Sequence, residues 1–202
     1  WHKQSKGLSF VGIPLLSGRL KGKVKQGLSN IANKYQLEIR LTPNQDLLLC
    51  NIGTYQRESI KTELAKIGIL NPGSPEPFYR HALACPALPL CGLAITEAER
   101  YLPDILLRIR NQLSNLGINK SILVRVTGCP NGCSRPYMAE LGLVGSGLNQ
   151  YQLWLGGSPN LIRLAKPFKQ KVLLDGLEET LQPLFLSWKS HSNKISFGDH
   201  IN

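Results

Sequence analysis

The chain has 202 residues, with 24 Lys/Arg against 13 Asp/Glu and a formal net charge of +11. A hydrophobic fraction of 42% is enough for a packed core and excludes a wholly disordered chain. No apolar run approaches the roughly 18 residues that a membrane-spanning helix needs, and the length suits one or two domains.

The chain opens on Trp1 and its single Met is Met138, so it is expected to be a processed chain or part of a longer one. The opening WHKQSKG is too polar for a signal peptide and lacks an Arg/Ser-rich transit pattern. Leu8 to Ile13 reads as a strand, closed by a Ser17-Gly18 turn. Arg19, Lys21, Lys23 and Lys25 follow, basic at alternate positions. On an extended segment they would share one face. Such a face is either a solvated edge strand protected from aggregation or a docking surface for an acidic partner, protein or nucleic acid. The whole first third is basic, with eleven Lys/Arg against four Asp/Glu in residues 1–70. Val24, Leu28, Ile31 and Tyr35 recur at helical spacing. Leu37, Ile39 and Leu41 alternate as a strand, Thr42-Pro43-Asn44 reads as a turn, and Leu47 to Cys50 is a short apolar strand. Ile60, Leu64 and Ile67 mark a second helix. Strand, helix, strand, strand, helix is half of a ferredoxin-like α+β sandwich.

Residues 71–77, with three prolines and a glycine, read as a linker, giving expected domains at 1–70 and 71–202. Beyond it, His81 to Cys85 is a candidate strand and Gly92 to Arg100 a candidate helix. Pro103-Asp104 opens a further helix with Leu102, Ile105, Ile109, Leu113 and Leu116 on its apolar face, ended by Gly117. Ile122, Val124 and Val126 alternate into Thr127-Gly128-Cys129. Leu141–Val144 and Tyr151–Leu155 are strands, and Lys169 to Trp188 reads as a C-terminal helix. Alternating strands and helices predict an α/β layer.

Five cysteines, an odd number without a secretory signal, argue for a reducing compartment, where clustered thiols bind metal or react. Four fall in two pairs, Cys85/Cys91 in ACPALPLCG and Cys129/Cys133 in TGCPNGCSRP. Each pair sits in a Pro/Gly-rich loop after a candidate strand and before a candidate helix, whose N-terminus would favour thiolates. The pattern predicts a four-cysteine metal centre. Structural zinc prefers two to four residues between cysteines, so the five-residue gap favours an iron–sulfur cluster but leaves zinc open. Cys50 ends an apolar strand with no cysteine nearby and is expected in the core.

ACPALPLCGLAITEAER (Ala84 to Arg100) and TGCPNGCSRPYMAELGLVG (Thr127 to Gly145) resemble the two cluster motifs of assimilatory, ferredoxin-dependent sulfite reductases of cyanobacterial and plastid type. WHKQ (Trp1 to Gln4) and RLTPNQDLLLC (Arg40 to Cys50) resemble further segments of that family. The ferredoxin–nitrite reductases share both cysteine spacings and remain the alternative, although CPALPLC and SRPYMAEL look like the sulfite branch. The resemblance implies a ferredoxin-like half-repeat followed by an α/β domain for a [4Fe–4S] cluster and sirohaem. It implies six-electron reduction of sulfite to sulfide, with electrons from reduced ferredoxin, in the cytoplasm of a cyanobacterium or the plastid stroma. Cys85, Cys91, Cys129 and Cys133 match the cluster ligands, and Cys133 matches the thiolate shared with the sirohaem iron, the catalytic position. Asn131, Arg135, Arg40, Asn44 and Gln45 match cofactor-binding segments. Read without the resemblance, Asn131 makes a turn, Arg135 could pair with Glu140, Thr42–Asn44 is a turn, and His81 is structural.

Relatives of this family are about three times as long, with two related halves, and this chain resembles only the second. The reaction is therefore expected of a longer polypeptide, and the 202 residues alone are expected not to reduce sulfite. Two other readings are a basic nucleic-acid-binding module with structural zinc and a cluster-bearing ferredoxin-docking protein. Against the former, aromatics are only 7% and do not interleave with the basic run.

Overall fold

A computed structural model describes residues 1–70 and 77–202. These divide into two compact units, Trp1–Arg80 and His81–Asn202. The linker expected over 71–77 lies outside the described residues, apart from Pro77, which opens a short helix.

The first unit comprises β1 (His2–Lys3), β2 (Ser9–Ile13), α1 (Gly22–Tyr35), β3 (Glu38–Leu41), β4 (Leu47–Ile52), α2 (Arg57–Lys66) and α3 (Pro77–Arg80). Its sheet is antiparallel, in the order β1-β2-β4-β3. Period-two alternation sets the register: Val11 lies opposite Leu49, and Ile13 opposite Leu47. These residues and Ile52 pack with Leu28 and Ile31 of α1 and Ile60 and Leu64 of α2 in one buried cluster. Each such side chain contributes roughly 1.5–3 kcal/mol on burial. Gly27 lets α1 come close to the end of α2, because a Cβ there would stand 2.5 Å from Ile67 Cγ2. Cys50 is buried in β4, and burial pushes its thiol up.

The basic run departs from its expected form. Arg19 to Lys21 precede α1, but Lys23 and Lys25 lie in its first turn. Residues two apart on a helix do not face the same way, so the run has no common face. No acidic residue accompanies the lysines in that turn, an unfavourable arrangement against the helix dipole. Burial of Leu28 and Ile31 holds the helix instead.

The second unit comprises β5 (Leu83–Ala84), α4 (Leu102–Asn115), β6 (Val124–Thr127), β7 (Leu141–Gly147), β8 (Gln150–Leu155), β9 (Lys166–Leu173), α5 (Leu177–Lys189) and α6 (Phe197–Ile201). Its sheet runs in chain order from β5 to β9. The β5–β6 and β6–β7 pairs are parallel and the last two antiparallel. All four residues of β6 are buried, as a central parallel strand requires. α4 buries Leu102, Ile105, Leu106, Ile109 and Leu113, and Gly117, at φ +73°, follows its end. Arg108 of α4 forms an ion pair with Glu178 of α5 and donates to the Leu174 carbonyl at 2.8 Å. α5 and α6 meet through edge-on contacts of Phe197 with Phe185 and Trp188.

Two expected helices are not formed as read. Residues 92–100 form turns, a bend and irregular backbone, because Ile95 and Thr96 are tied to the second loop, as described below. The helix expected from Lys169 begins at Leu177. Leu173 stands four residues before Leu177 and imitates the helical period. It ends β9 instead, which completes the free edge of β8 and exposes all but Val172. Lys166, Lys169 and Lys171 along this edge strand are the usual protection against sheet extension.

Candidate metal centre

Both cysteine loops leave the same end of the parallel strands. Leu83 pairs with Arg125 and Ala84 with Val126, so Cys85 and Thr127 emerge side by side. The Cys85 sulfur accepts the Gly128 N–H at 3.2 Å and stands 3.4 Å from the Thr127 hydroxyl. The first loop turns through Ala87, at φ +50°, where the Cys91 N–H donates to the Ala87 carbonyl at 2.8 Å. It then crosses the second loop, and the Ile95 and Thr96 N–H groups both donate to the Gly128 carbonyl, at 2.8 and 3.2 Å.

Gly128 is the pivot. Its N–H serves Cys85, its carbonyl holds residues 95–96, and a Cβ there would stand 2.7 Å from both Ala87 Cβ and the Thr96 oxygen. Gly145 of β7 fits beneath it, with its Cβ position 2.4 Å from the Gly128 oxygen. Thr96 is fully buried and accepts the Asn149 N–H at 3.0 Å. Tyr151 donates to the Glu97 carbonyl at 2.7 Å, and burial pushes its phenol up to about 12.

The second loop folds back over the sheet. Gly132, at φ +68°, makes the bend, and Ser134 donates to the Val126 carbonyl at 2.7 Å. Arg135 is left-handed at φ +57°, and its carbonyl accepts Arg125 Nη1 at 3.3 Å. Tyr137 donates to the Pro130 carbonyl at 2.7 Å. Pro136 covers Gly142, where a Cβ would lie 2.4 Å from its oxygen.

Cys85 and Cys129 are buried, Cys91 is half-buried and Cys133 is exposed; all are free thiols. Neither pair is followed directly by an α-helix. α4 starts at Leu102, and only a 3-10 turn, Pro136–Met138, follows Cys133. The donors to Cys85 are therefore a strand-end amide and a hydroxyl, in place of a helix N-terminus. Among the described residues no three His, Cys, Asp or Glu side chains converge as one metal ion requires. A cubane takes thiolates at separate corners of an eight-atom body and does not need sulfurs around a single point. Two thiol-bearing loops on one sheet end, with N–H and O–H donors already aimed at one sulfur, fit such a group.

Asn131 is exposed at the turn between Cys129 and Cys133. Glu140 uses its two oxygens on backbone, accepting Leu123 N–H at 2.8 Å and Gly198 N–H at 2.9 Å. His81 is exposed at the start of this unit. Arg40, Asn44 and Gln45 belong to the first unit. Arg40 pairs with Glu38 at 2.7 Å, Asn44 N–H lies 3.3 Å from the Thr42 hydroxyl, and Gln45 has a left-handed backbone at φ +66°. Thr127, Gly128, Thr96 and Arg125 were missed in the sequence. Only the glycine between Thr127 and Cys129 was a signal, and it reads equally as a simple turn.

Burial pushes the Glu140 carboxyl up, with the Gly198 and Leu123 amides opposing. Its folded pKa thus exceeds its unfolded one. The proton-linked stability is present below the ordinary carboxylate value of about 4.3 and is lost as pH rises through the folded value. Glu140→Gln removes this dependence and leaves one amide without an oxygen acceptor, at a cost of about 1–3 kcal/mol. Urea unfolding across a pH series is expected to show the wild-type advantage over the variant growing as pH falls through that window.

Residues 2–67 match the Nitrite/Sulfite reductase ferredoxin-like half domain. The chain is 46% identical to the Sulfite reductase (ferredoxin) of Synechococcus elongatus, over 98% of this chain and 33% of that protein. It is 36% identical to the Sulfite reductase (NADPH) hemoprotein beta-component of Methylorubrum populi, over 100% of this chain and 34% of that protein. In fold it resembles the Mycobacterium tuberculosis NirA protein, with a TM-score of 0.79 at 23% identity over 98% of this chain and 38% of that one. The family match thus falls within the first unit. The chain as a whole is related to the sulfite reductases, and spans about a third of the length of the curated relatives it matches. The nucleic-acid reading of the positive charge finds no support in these relatives.

Proposed function

We propose that this chain provides the iron–sulfur and sirohaem segment of a ferredoxin-dependent sulfite reductase, which reduces sulfite to sulfide with six electrons. The observation that carries the reading is the joining of the two cysteine loops through Gly128, with two donors on the Cys85 sulfur. Cys85, Cys91, Cys129 and Cys133 would hold a [4Fe–4S] cluster. When bound, the cluster supplies one-electron transfer, and a sirohaem supplies the iron at which sulfite is reduced. The chain's own part is to hold and shield. Cys85 and Cys129 are buried, which would exclude water from two corners of the site. Cys133 is exposed, and an open sulfur suits a thiolate shared with the sirohaem iron. Arg135, beside it, is the candidate cation for a sirohaem carboxylate. Asn131, Arg40, Asn44 and Gln45 remain candidates for the macrocycle's other edges.

Reduced ferredoxin is the proposed electron donor. The basic first unit would speed the approach of an acidic protein, an effect that weakens with salt. Without a shared face, Arg19, Lys21, Lys23 and Lys25 would act by summed charge.

Anaerobic reconstitution with iron and sulfide tests the central claim. The expected product holds about four irons with matching acid-labile sulfide. Stoichiometric zinc without sulfide would refute it and favour the zinc module. The same preparation, given reduced methyl viologen and sulfite, is expected to form no sulfide, because the proposed reaction belongs to the longer protein. Robust sulfide formation would overturn that part.

A further inference from the structure

Among the described residues, Arg125 is the one cation in the set of largest fully buried side chains, at 1% exposure. Its Nη1 reaches the Arg135 carbonyl, but its buried Nε has no partner. Burial and the positive charge of Arg135 lower its pKa to about 10, and among the described residues no acidic group opposes them. It therefore keeps its proton at neutral pH. A buried ion without a counter-ion carries a large desolvation penalty, so a core position that retains one points to an anion nearby.

The topology places the anion. Arg125 and Thr127 are on the same face of β6, two residues apart. Thr127 lies against the Cys85 sulfur, and β6 runs on into Cys129. The guanidinium reaches the backbone two residues beyond Cys133. Its strand neighbour Thr127, the run of β6 into Cys129 and its acceptor two residues past Cys133 thus tie it to the segments that carry three of the four cysteines, and thiolates on iron form an anionic group.

We propose that Arg125 is the buried counter-charge of the centre held by these cysteines, positioned to favour its reduced state. This rests on the iron–sulfur reading above. In the step concerned, a low-potential donor delivers one electron to the cluster, whose net charge becomes one unit more negative, and Arg125 keeps its proton. A cation fixed in a medium of low dielectric stabilises the added charge more than it would in water. Arg125 is thereby a positioning residue for charge and makes no bond to the cluster.

The test is an anaerobic potentiometric titration of the cluster-loaded protein, followed by the electron paramagnetic resonance of the reduced cluster. Arg125→Met is expected to retain iron and to lower the reduced-to-oxidised ratio at a set potential about tenfold, which is about 59 mV for one electron. Arg125→Lys, which keeps the charge, is expected to restore most of it. If Arg125→Met loses iron, Arg125→Gln, which can still donate to the Arg135 carbonyl, takes its place. An unchanged midpoint in a fully loaded neutral variant overturns the proposal, as does a Lys variant shifted as far as the neutral one. Absence of iron from the unsubstituted protein would instead refute the iron–sulfur reading itself, and this inference with it.

Discussion

Cys129→Ala is expected to abolish iron incorporation, taking the reconstituted chain from about four irons to a small residue. The residue is buried one position beyond Gly128, where the two loops are tied. Its burial keeps water from substituting freely for a lost ligand. Cys133→Ala is the informative contrast. Cys133 is exposed, so solvent or an added thiol can reach the vacated corner, and partial iron loading is expected. Iron and acid-labile sulfide assays, with visible absorption, measure both. Equal loading of Cys129→Ala and the unsubstituted chain would remove Cys129 from the ligand set. Cys50→Ala serves as the control and is expected to keep full loading, since Cys50 is buried in the first unit's sheet.

Gly128→Ala is expected to be the most damaging single change in the site that touches no cysteine. The added methyl would meet Ala87 Cβ and the Thr96 oxygen, both at 2.7 Å, and Ala94 Cβ at 3.2 Å. Two of these neighbours belong to the first loop's tight course and the third is backbone, so none can swing aside as a long side chain would. Overpacking of this kind costs typically about 1–3 kcal/mol. The loop shift that relieves it would also pull the Gly128 N–H from the Cys85 sulfur. A lower urea midpoint and reduced iron loading are therefore expected together. Gly92→Ala, in the same loop system but facing open space, is expected to change neither. Matching behaviour of the two variants would show that the close packing at Gly128 does not govern the site.

Much of this molecule was legible in its residues. The period-two strands and the i, i+3, i+4 spacing of Leu28, Ile31, Ile60 and Leu64 placed the first unit's elements, since each side of that pattern has one burial solution. Leu102 to Leu113 did the same for α4. Segment 92–100 misled because its composition suits a helix, while its amides are claimed by the Gly128 carbonyl more than thirty residues away. β9 misled because an exposed edge strand has almost no hydrophobic period to read.

By itself the sequence determined the two paired cysteine loops, their turn-rich setting and the net charge of +11, because these are properties of local composition and spacing. Only the tertiary structure decided which groups stand around the sulfurs. Parallel pairing of β5 and β6 brings Thr127 and Gly128 to Cys85, and the folded-back second loop gives Arg125 an acceptor in the Arg135 carbonyl. The lysines of residues 21–25 show the same division. Their charge was certain from composition, but their common face vanished once burial of Leu28 and Ile31 made the segment a helix. Charge and ligand type belong to individual residues, whereas direction and company depend on backbone pairing across the whole fold.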